Sequence, residues 1–229
     1  MPCYNEINLI EESICRISKI LNKNNLFKII IVDDGSDDGT TKWLKKNIDD
    51  YFNNIKYKIV YLEKNIGKSG AIQSGFKYIE GEYLGLIDLD LEYDLNDLLE
   101  IYHILAKDKN TDAIFGSRNI GNKLRIRKHK INELAVKINT KIFNFLFNQS
   151  ITDLHSGLKV LRSKIFEKVQ LNSKGFEFEI DLSSKLAKNK FLIKEVGISY
   201  MGRTKKEGKK ITFIDGIMSY YYLFKFYLK

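Results

Sequence analysis

Two groups of carboxylates stand where apolar runs stop. The run Tyr83-Leu84-Gly85-Leu86-Ile87 ends in Asp88-Leu89-Asp90-Leu91-Glu92. In extended geometry residues two apart face the same way, so Asp88, Asp90 and Glu92 converge. Hard oxygen ligands suit Mg2+ or Mn2+. An ion held there bridges the two phosphates of a nucleotide and neutralises charge as they depart. The run Lys28-Ile29-Ile30-Ile31-Val32 ends in Asp33-Asp34-Gly35-Ser36. A carboxylate at such a strand end accepts hydrogen bonds from a base or a ribose, although Asp, Gly and Ser also make ordinary turns. A third piece, Asn65-Ile66-Gly67-Lys68-Ser69-Gly70, reads as a phosphate cradle of backbone amides at a helix start. Its glycine spacing is not that of a P-loop, and a structural turn is the alternative.

The elements around these residues alternate. Glu6 to Leu21 reads as a helix with Ile10, Ile14, Ile17 and Leu21 on one face. Phe27–Val32, Ile55–Leu62, Tyr83–Ile87 and Asp112–Phe115 read as strands. Helices begin after a turn with Asp38 or Thr40 as N-cap, after the glycine-punctuated turn Asn65–Gly70 and running through Tyr78, and at Leu95. That alternation predicts an α/β fold with a doubly wound, mostly parallel sheet. Ligands of such sheets bind beyond the carboxyl ends of the strands. In the second half Asn122–Lys130 is a basic loop. Ile131–Phe147 is an amphipathic helix, Gly157–Leu161 a strand, Phe178–Lys188 a helix and Phe191–Tyr200 a strand. A terminal helix closes the chain. A doubly wound fold opens on a strand, whereas Met1-Pro2-Cys3-Tyr4-Asn5-Glu6 reads as turn. The first, central strand is therefore expected to be missing from this chain.

With 229 residues, 44% apolar content and a single proline, the chain is globular, and residues 1–229 read as one domain. Cys3 and Cys15 lack metal-ligand spacing and read as reduced thiols in an intracellular setting. Net charge is +9, which suits a polyanionic partner or an anionic membrane surface. No run reaches transmembrane length. The aromatic C-terminal stretch from Ile211 to Leu228 reads either as a membrane-interface helix or as a helix packed on the domain.

Several motifs then occur in order: Pro2-x-Tyr4-Asn5-Glu6, Val32-Asp33-Asp34-Gly35-Ser36-x-Asp38-Gly39-Thr40, Asn65-x-Gly67-Lys68-x-Gly70-Ala71, Asp88-x-Asp90-x-Glu92-Tyr93-Asp94 and Gly116-Ser117-Arg118. Thr152-Asp153-x-x-Ser156-Gly157-x-Lys159-Val160, Gly175-Phe176-Glu177-Phe178-Glu179, Lys194-Glu195-Val196 and Gly202-Arg203-Thr204-x-x-Glu207-Gly208-Lys209-Lys210 follow. Together they resemble the family 2 glycosyltransferases of the GT-A fold, and within them the dolichyl- and polyprenyl-phosphate sugar synthases. The resemblance spans nearly the whole chain. It departs at the start, and at Ser69, where glycine is common.

The resemblance implies roles. Pro2, Tyr4, Glu6, Asp33, Asp34 and Lys68 hold the nucleotide, with residues 1–118 as the donor half. Asp88, Asp90 and Glu92 hold Mg2+ or Mn2+ and the diphosphate. Residues 119–229 form the acceptor half. The implied reaction moves a hexose from UDP-glucose or GDP-mannose to a polyprenyl phosphate, with inversion, at the cytoplasmic face of a membrane. A phosphate monoester is largely a dianion at neutral pH and needs no general base, which agrees with assigning no role to His103, His129 or His155. The acceptor phosphate requires cations, and Arg118, Arg127, Arg203 and Lys209 are the candidates. Asp153 joins Asp88, Asp90 and Arg118 as a catalytic candidate, whereas Glu179 reads as a structural partner of the basic loops. A saccharide hydroxyl as acceptor is the alternative. A basic nucleic-acid binder is another; the acidic strand ends speak against it, so no nucleic-acid partner is expected. An inactive nucleotide-sugar-binding protein is the last.

Overall fold

The computed structural model describes residues 1–21, 26–126, 130–175, 177–204 and 213–228. The elements in chain order are β1 (Pro2–Cys3), α1 (Ile10–Leu21), β2 (Lys28–Asp33), α2 (Thr40–Tyr51), β3 (Lys56–Tyr61), α3 (Lys68–Phe76), β4 (Tyr83–Leu86) and α4 (Leu95–Lys107). Then come β5 (Ala113–Ser117), β6 (Arg125–Ile126), α5 (Lys130–Phe147), β7 (Lys159–Arg162), α6 (Phe178–Lys188), β8 (Ile193–Gly197), β9 (Tyr200–Met201) and α7 (Phe213–Leu228).

One sheet has the order β1-β2-β3 and a second β4-β7-β5-β8, while β6 pairs with β9. β2 is parallel to β1 and β3, and β5 is parallel to β8. β7 is the antiparallel exception, inserted between β4 and β5. The predicted α/β, mostly parallel architecture is what forms. β7 and β8, from residues 119–229, pair directly with β4 and β5, from residues 1–118. The expectation of an absent first strand is corrected in part. Pro2 and Cys3 form a short strand against Val32 and Asp33. It does not reach β4, and the sheet is parted between the two.

Burial explains the layers. Ile10, Ile14, Ile17 and Leu21 of α1 recur at helical spacing. They cluster with Ile29 and Ile31 of β2 and with Ile101 and Leu105 of α4. Phe178, Leu182 and Leu186 of α6 cluster with Phe115 of β5 and Leu161 of β7. A third cluster joins Phe143 of α5 to Leu223 and Phe226 of α7. Each such side chain stabilises the fold by roughly 1.5–3 kcal/mol relative to exposure. The layers aim the ends of β2 and β4 at the same crevice.

Candidate active site

The turn after β2 is laced to the turn after β1. Asp33 accepts hydrogen bonds from the Ser36 amide at 3.2 Å and hydroxyl at 2.5 Å, and from the Thr41 hydroxyl. Asn5 and Asp37 exchange a pair, at 2.8 and 3.0 Å. Pro2 lies in β1 and Tyr4 in the turn that follows, beside Asn5 with its positive φ of 50°. Asp34 points at the next loop, where its two oxygens accept the amides of Ile66 at 2.8 Å and Gly67 at 3.0 Å. Burial raises its pKa and those two bonds oppose the rise. Asp34 thereby fixes the residue before Lys68.

The phosphate-cradle reading of residues 65–70 is corrected. The amides of Ser69 and Gly70 donate to the carbonyls of Gly175 and Lys174 at 3.2 Å each, and Gly67 N–H is taken by Asp34 and Asn65. These donors are spent inside the protein. What the loop presents is Lys68 alone. Its Nζ lies 2.8 Å from Asp88 Oδ2 and 2.8 Å from Glu179 Oε1. Burial disfavours its charge, but the two carboxylates prevail and raise its pKa well above the usual lysine value.

The Asp88-x-Asp90-x-Glu92 segment does not run extended. β4 ends at Leu86, the chain turns, and Leu91 sits in the left-handed region with φ 61°. The expected convergence by simple alternation is therefore corrected. Among the described residues no group of three ligating side chains is arranged to hold a metal ion. Two cations hold the carboxylates instead. Lys68 takes Asp88, while Arg203 lies 3.0 Å from Asp90 Oδ2 and 3.1 Å from Glu6 Oε2. The Arg203 amide donates to Glu92 Oε1 at 2.9 Å, and the Tyr200 hydroxyl donates to Glu92 Oε2 at 2.7 Å. Burial, then the charges of Asp88 and Glu92, push the Asp90 carboxyl up to about 7 against the pull of Arg203. The pocket holds more negative charge than its own cations neutralise. Magnesium is commonly bound by one or two carboxylates plus substrate phosphates rather than by a closed protein cage, and Asp88 and Asp90 offer that donor set.

Arg118 grips Asp153 through two side-chain bonds of 2.7 and 2.8 Å and its amide at 3.0 Å. Its guanidinium also lies over the Tyr200 ring, 4.9 Å from the centroid. Burial raises the Asp153 pKa, yet Arg118 overrides it and holds the carboxylate low. Glu195 in turn accepts the Thr152 and Asp153 amides. Arg118 and Arg203 are thus linked through Tyr200 and Glu92. Arg127 and Lys209 lie outside the described residues.

Reading the sequence placed Glu179 among structural partners; it completes the Lys68 bridge. It also missed Lys159, wholly buried in β7, with Nζ on the Ser156 carbonyl and 4.6 Å from the Phe115 ring centroid. Burial pulls its pKa down to about 8 despite Glu179 and Asp153. The signal was a lysine inside the apolar stretch Leu158–Leu161. His155 is half-buried with its ring 2.9 Å from the Asn139 amide nitrogen, and desolvation lowers its pKa to about 4.

A mostly parallel α/β fold with acidic residues after two strands, bridged by one lysine and one arginine, defines the class of the crevice as a charged strand-end pocket. The family described as Glycosyl transferase family 2 matches residues 1–170, and the chain belongs to it. It is 26% identical over 217 residues to the dolichyl-phosphate beta-glucosyltransferase of Saccharomyces cerevisiae, covering 87% of this chain and 65% of that protein. To the dolichol-phosphate mannosyltransferase of Pyrococcus furiosus it is 30% identical over 217 residues, covering 92% of this chain and 59% of that one. The chain thus spans about three fifths of these relatives' length. The fold matches glucosyl-3-phosphoglycerate synthase from Mycobacterium tuberculosis, solved with Mn2+, UDP and glucosyl-3-phosphoglycerate. The TM-score is 0.66 at 18% identity, covering 90% of this chain and 72% of that one. The GT-A fold implied by the motifs is the fold observed.

Proposed function

We propose that this chain carries the transfer site of an inverting hexosyltransferase that takes a nucleoside-diphosphate sugar, UDP-glucose or GDP-mannose, and delivers the sugar to a polyprenyl phosphate. The observation that carries the reading is the convergence of Glu6, Asp88, Asp90 and Glu92 on Lys68 and Arg203 at the ends of β1 and β4. The names of the yeast and archaeal relatives support the lipid-phosphate acceptor.

In this reading Asp88 and Asp90 hold Mg2+ or Mn2+. Bound there, the ion supplies Lewis-acid charge to the leaving diphosphate. Lys68, charged and half-buried, adds a second positive group beside the same carboxylate. Glu6 and the turn at Asp33 border the nucleotide. The likeness to a synthase holding UDP and Mn2+ supports both ligands. The low pKa of Asp153 and of Glu179, where Lys68 and Lys159 outweigh burial, makes each a weak base. A hydroxyl acceptor needs a base within reach; a phosphate dianion does not. That chemistry favours the phosphate.

Helices α5 and α7 expose Leu134, Ile138 and Phe145, and Ile217, Tyr221, Phe224 and Leu228. No helix among the described residues is long and apolar enough to cross a membrane. These exposed apolar side chains support peripheral seating on the membrane that carries the lipid; the cytoplasmic side is part of the same proposal. The test is a transfer assay with radiolabelled UDP-glucose and GDP-mannose, offering polyprenyl phosphate and oligosaccharide acceptors with and without Mn2+. Label in the lipid fraction, lost in Asp90→Ala while the circular dichroism is unchanged, is the expected result. Label only in saccharide overturns the acceptor.

A further inference from the structure

Lys159 is a charge in the middle of an apolar strand, and the proposed transfer gives it no task. It lies on β7, paired with Leu86 of β4 on one side and with Phe115 of β5 on the other. Leu158, Val160 and Leu161 around it are buried, and Lys159 itself has no exposed surface. An ammonium taken out of water costs folding free energy unless it is well paired. The two carboxylates whose charge acts on it, Glu179 and Asp153, are already bound by Lys68 and Arg118. Its Nζ instead donates to the Ser156 carbonyl and lies 4.6 Å from the Phe115 ring centroid. Methionine, of the same length, would fill this space without the cost of desolvation. A lysine here has the pattern of a residue that serves activity at the expense of stability.

The carbonyl it holds belongs to the stretch between α5 and β7, and that stretch touches both sides of the site. At one point Asp153 takes the Arg118 guanidinium at 2.7 and 2.8 Å and the Arg118 amide at 3.0 Å. At another, Gly157 N–H donates to the Tyr93 hydroxyl at 3.0 Å, and a Cβ on Gly157 would stand 2.6 Å from Asp88 Oδ2. Residues 152–158 form neither helix nor strand, so no backbone ladder holds them. Glu195 fastens the first half, accepting the amides of Thr152 at 2.7 Å and Asp153 at 3.0 Å. Lys159 fastens the second half at Ser156. We propose, on the reading that this site transfers a hexose to a phosphate, that Lys159 is a positioning residue: by tying down the Ser156 carbonyl it fixes the separation between the Asp88 side, which faces the donor diphosphate, and the Arg118 side, which faces the acceptor phosphate. Lys159 touches neither reactant in this scheme. It acts through the turn, where Gly157 limits the place of Asp88 and Asp153 sets that of Arg118. A transfer between two bound substrates depends on that separation, because misplacement by about 1 Å costs on the order of a hundredfold in rate.

The test is Lys159→Met in the full chain, read by amide hydrogen exchange and by kinetics. The variant keeps the apolar stem and loses the donor. Exchange at the Gly157 and Arg118 amides is expected to quicken by about tenfold or more. Ala113 and Arg162, whose amides donate to the Leu192 and Asp112 carbonyls at 3.2 and 3.0 Å, keep their protection. In the transfer assay kcat falls by about tenfold or more, while the donor KM stays within about twofold. Thermal stability does not fall, so unfolding does not account for the lost rate. Lys159→Arg, which retains a charged donor, recovers part of both the protection and kcat. The exchange measurement needs no substrate and tests the tether alone, whereas transfer by the parent chain tests the reaction. Unchanged exchange at Gly157 and Arg118 overturns the proposal, as does an unchanged kcat beside an active parent. Loss of protection at Ala113 and Arg162 as well makes Lys159 a residue of the fold only, and overturns it too.

Discussion

The Arg203 guanidinium lies 3.0 Å from Asp90 Oδ2. It occupies the position from which a divalent cation on Asp90 would have to displace it, and it also holds Glu6 at 3.1 Å. One arginine thus balances a pocket in which burial, then the charges of Asp88 and Glu92, push Asp90 up to about 7.

Arg203→Ala is therefore expected to strengthen binding of Mn2+ alone, by about tenfold, which corresponds to about 1.4 kcal/mol. Titration calorimetry without nucleotide measures it. Thermal stability falls in the same variant, because three partly buried carboxylates lose their partner. An unchanged Mn2+ affinity shows that the guanidinium and the ion do not compete.

Two glycines separate site geometry from fold. A Cβ on Gly157 would stand 2.6 Å from Asp88 Oδ2, the movable tip of a side chain. A Cβ on Gly67 would stand 2.4 Å from the Lys174 carbonyl, and Gly67 has φ 87°. Gly157→Ala is expected to leave Tm within a few degrees and to cut nucleotide binding sharply, by pushing Asp88 off Lys68. Gly67→Ala is expected to destabilise by more than about 1 kcal/mol. Equal effects on Tm from the two substitutions contradict this division.

Much of the frame was legible because it is written in local periodicity. Phe178, Leu182 and Leu186 mark α6 from Phe178 to Lys188, the span the structure shows. Paired features were not legible. Arg125–Ile126 carries no pattern, and becomes β6 only because Tyr200–Met201 lies alongside. The run from Phe191 to Tyr200 reads as one strand but breaks, since Gly197 approaches the Ile120 carbonyl so closely that a Cβ would stand 2.5 Å from it. In the site, residue types were legible while partners were hidden. Lys68 was legible as a cation at a loop, but Glu179, 111 residues away, could be assigned to it only by the fold. The left-handed Leu91 defeated the extended reading of the acidic motif, because nothing in a leucine announces positive φ.

The half-buried Arg118 and the buried Asp153 form a bidentate pair, and removing one partner leaves an uncompensated charge. Arg118→Ala is expected to lose about 3 kcal/mol or more in denaturant unfolding. Arg118→Lys keeps the charge but loses the fork, and falls between. In the double variant Arg118→Ala/Asp153→Ala the losses are less than additive. Full additivity would show that the two side chains do not act on each other.

Lys159 gives the clearest pH signature. Its folded pKa is about 8, against an ordinary value of 10.5, with burial as the leading cause. Between those values the unfolded chain binds more protons than the folded one, so this residue makes stability rise with pH across that window. Below about 8 both states are protonated and the penalty is constant, at most about 3 kcal/mol by the conversion of 1.36 kcal/mol per pKa unit. Lys159→Met keeps the length and apolar stem while removing the charge. Loss of the charge also leaves Glu179 with Lys68 as its remaining close cation, which offsets part of the gain. The variant is expected to be more stable than the parent at pH 7, with the advantage shrinking as pH approaches 10.5. Chemical denaturation of both proteins at pH 7, 8, 9 and 10 measures the difference. A constant difference across that range would mean that Lys159 keeps its ordinary pKa and that its burial is relieved by contacts other than those of Ser156, Phe115 and Glu179.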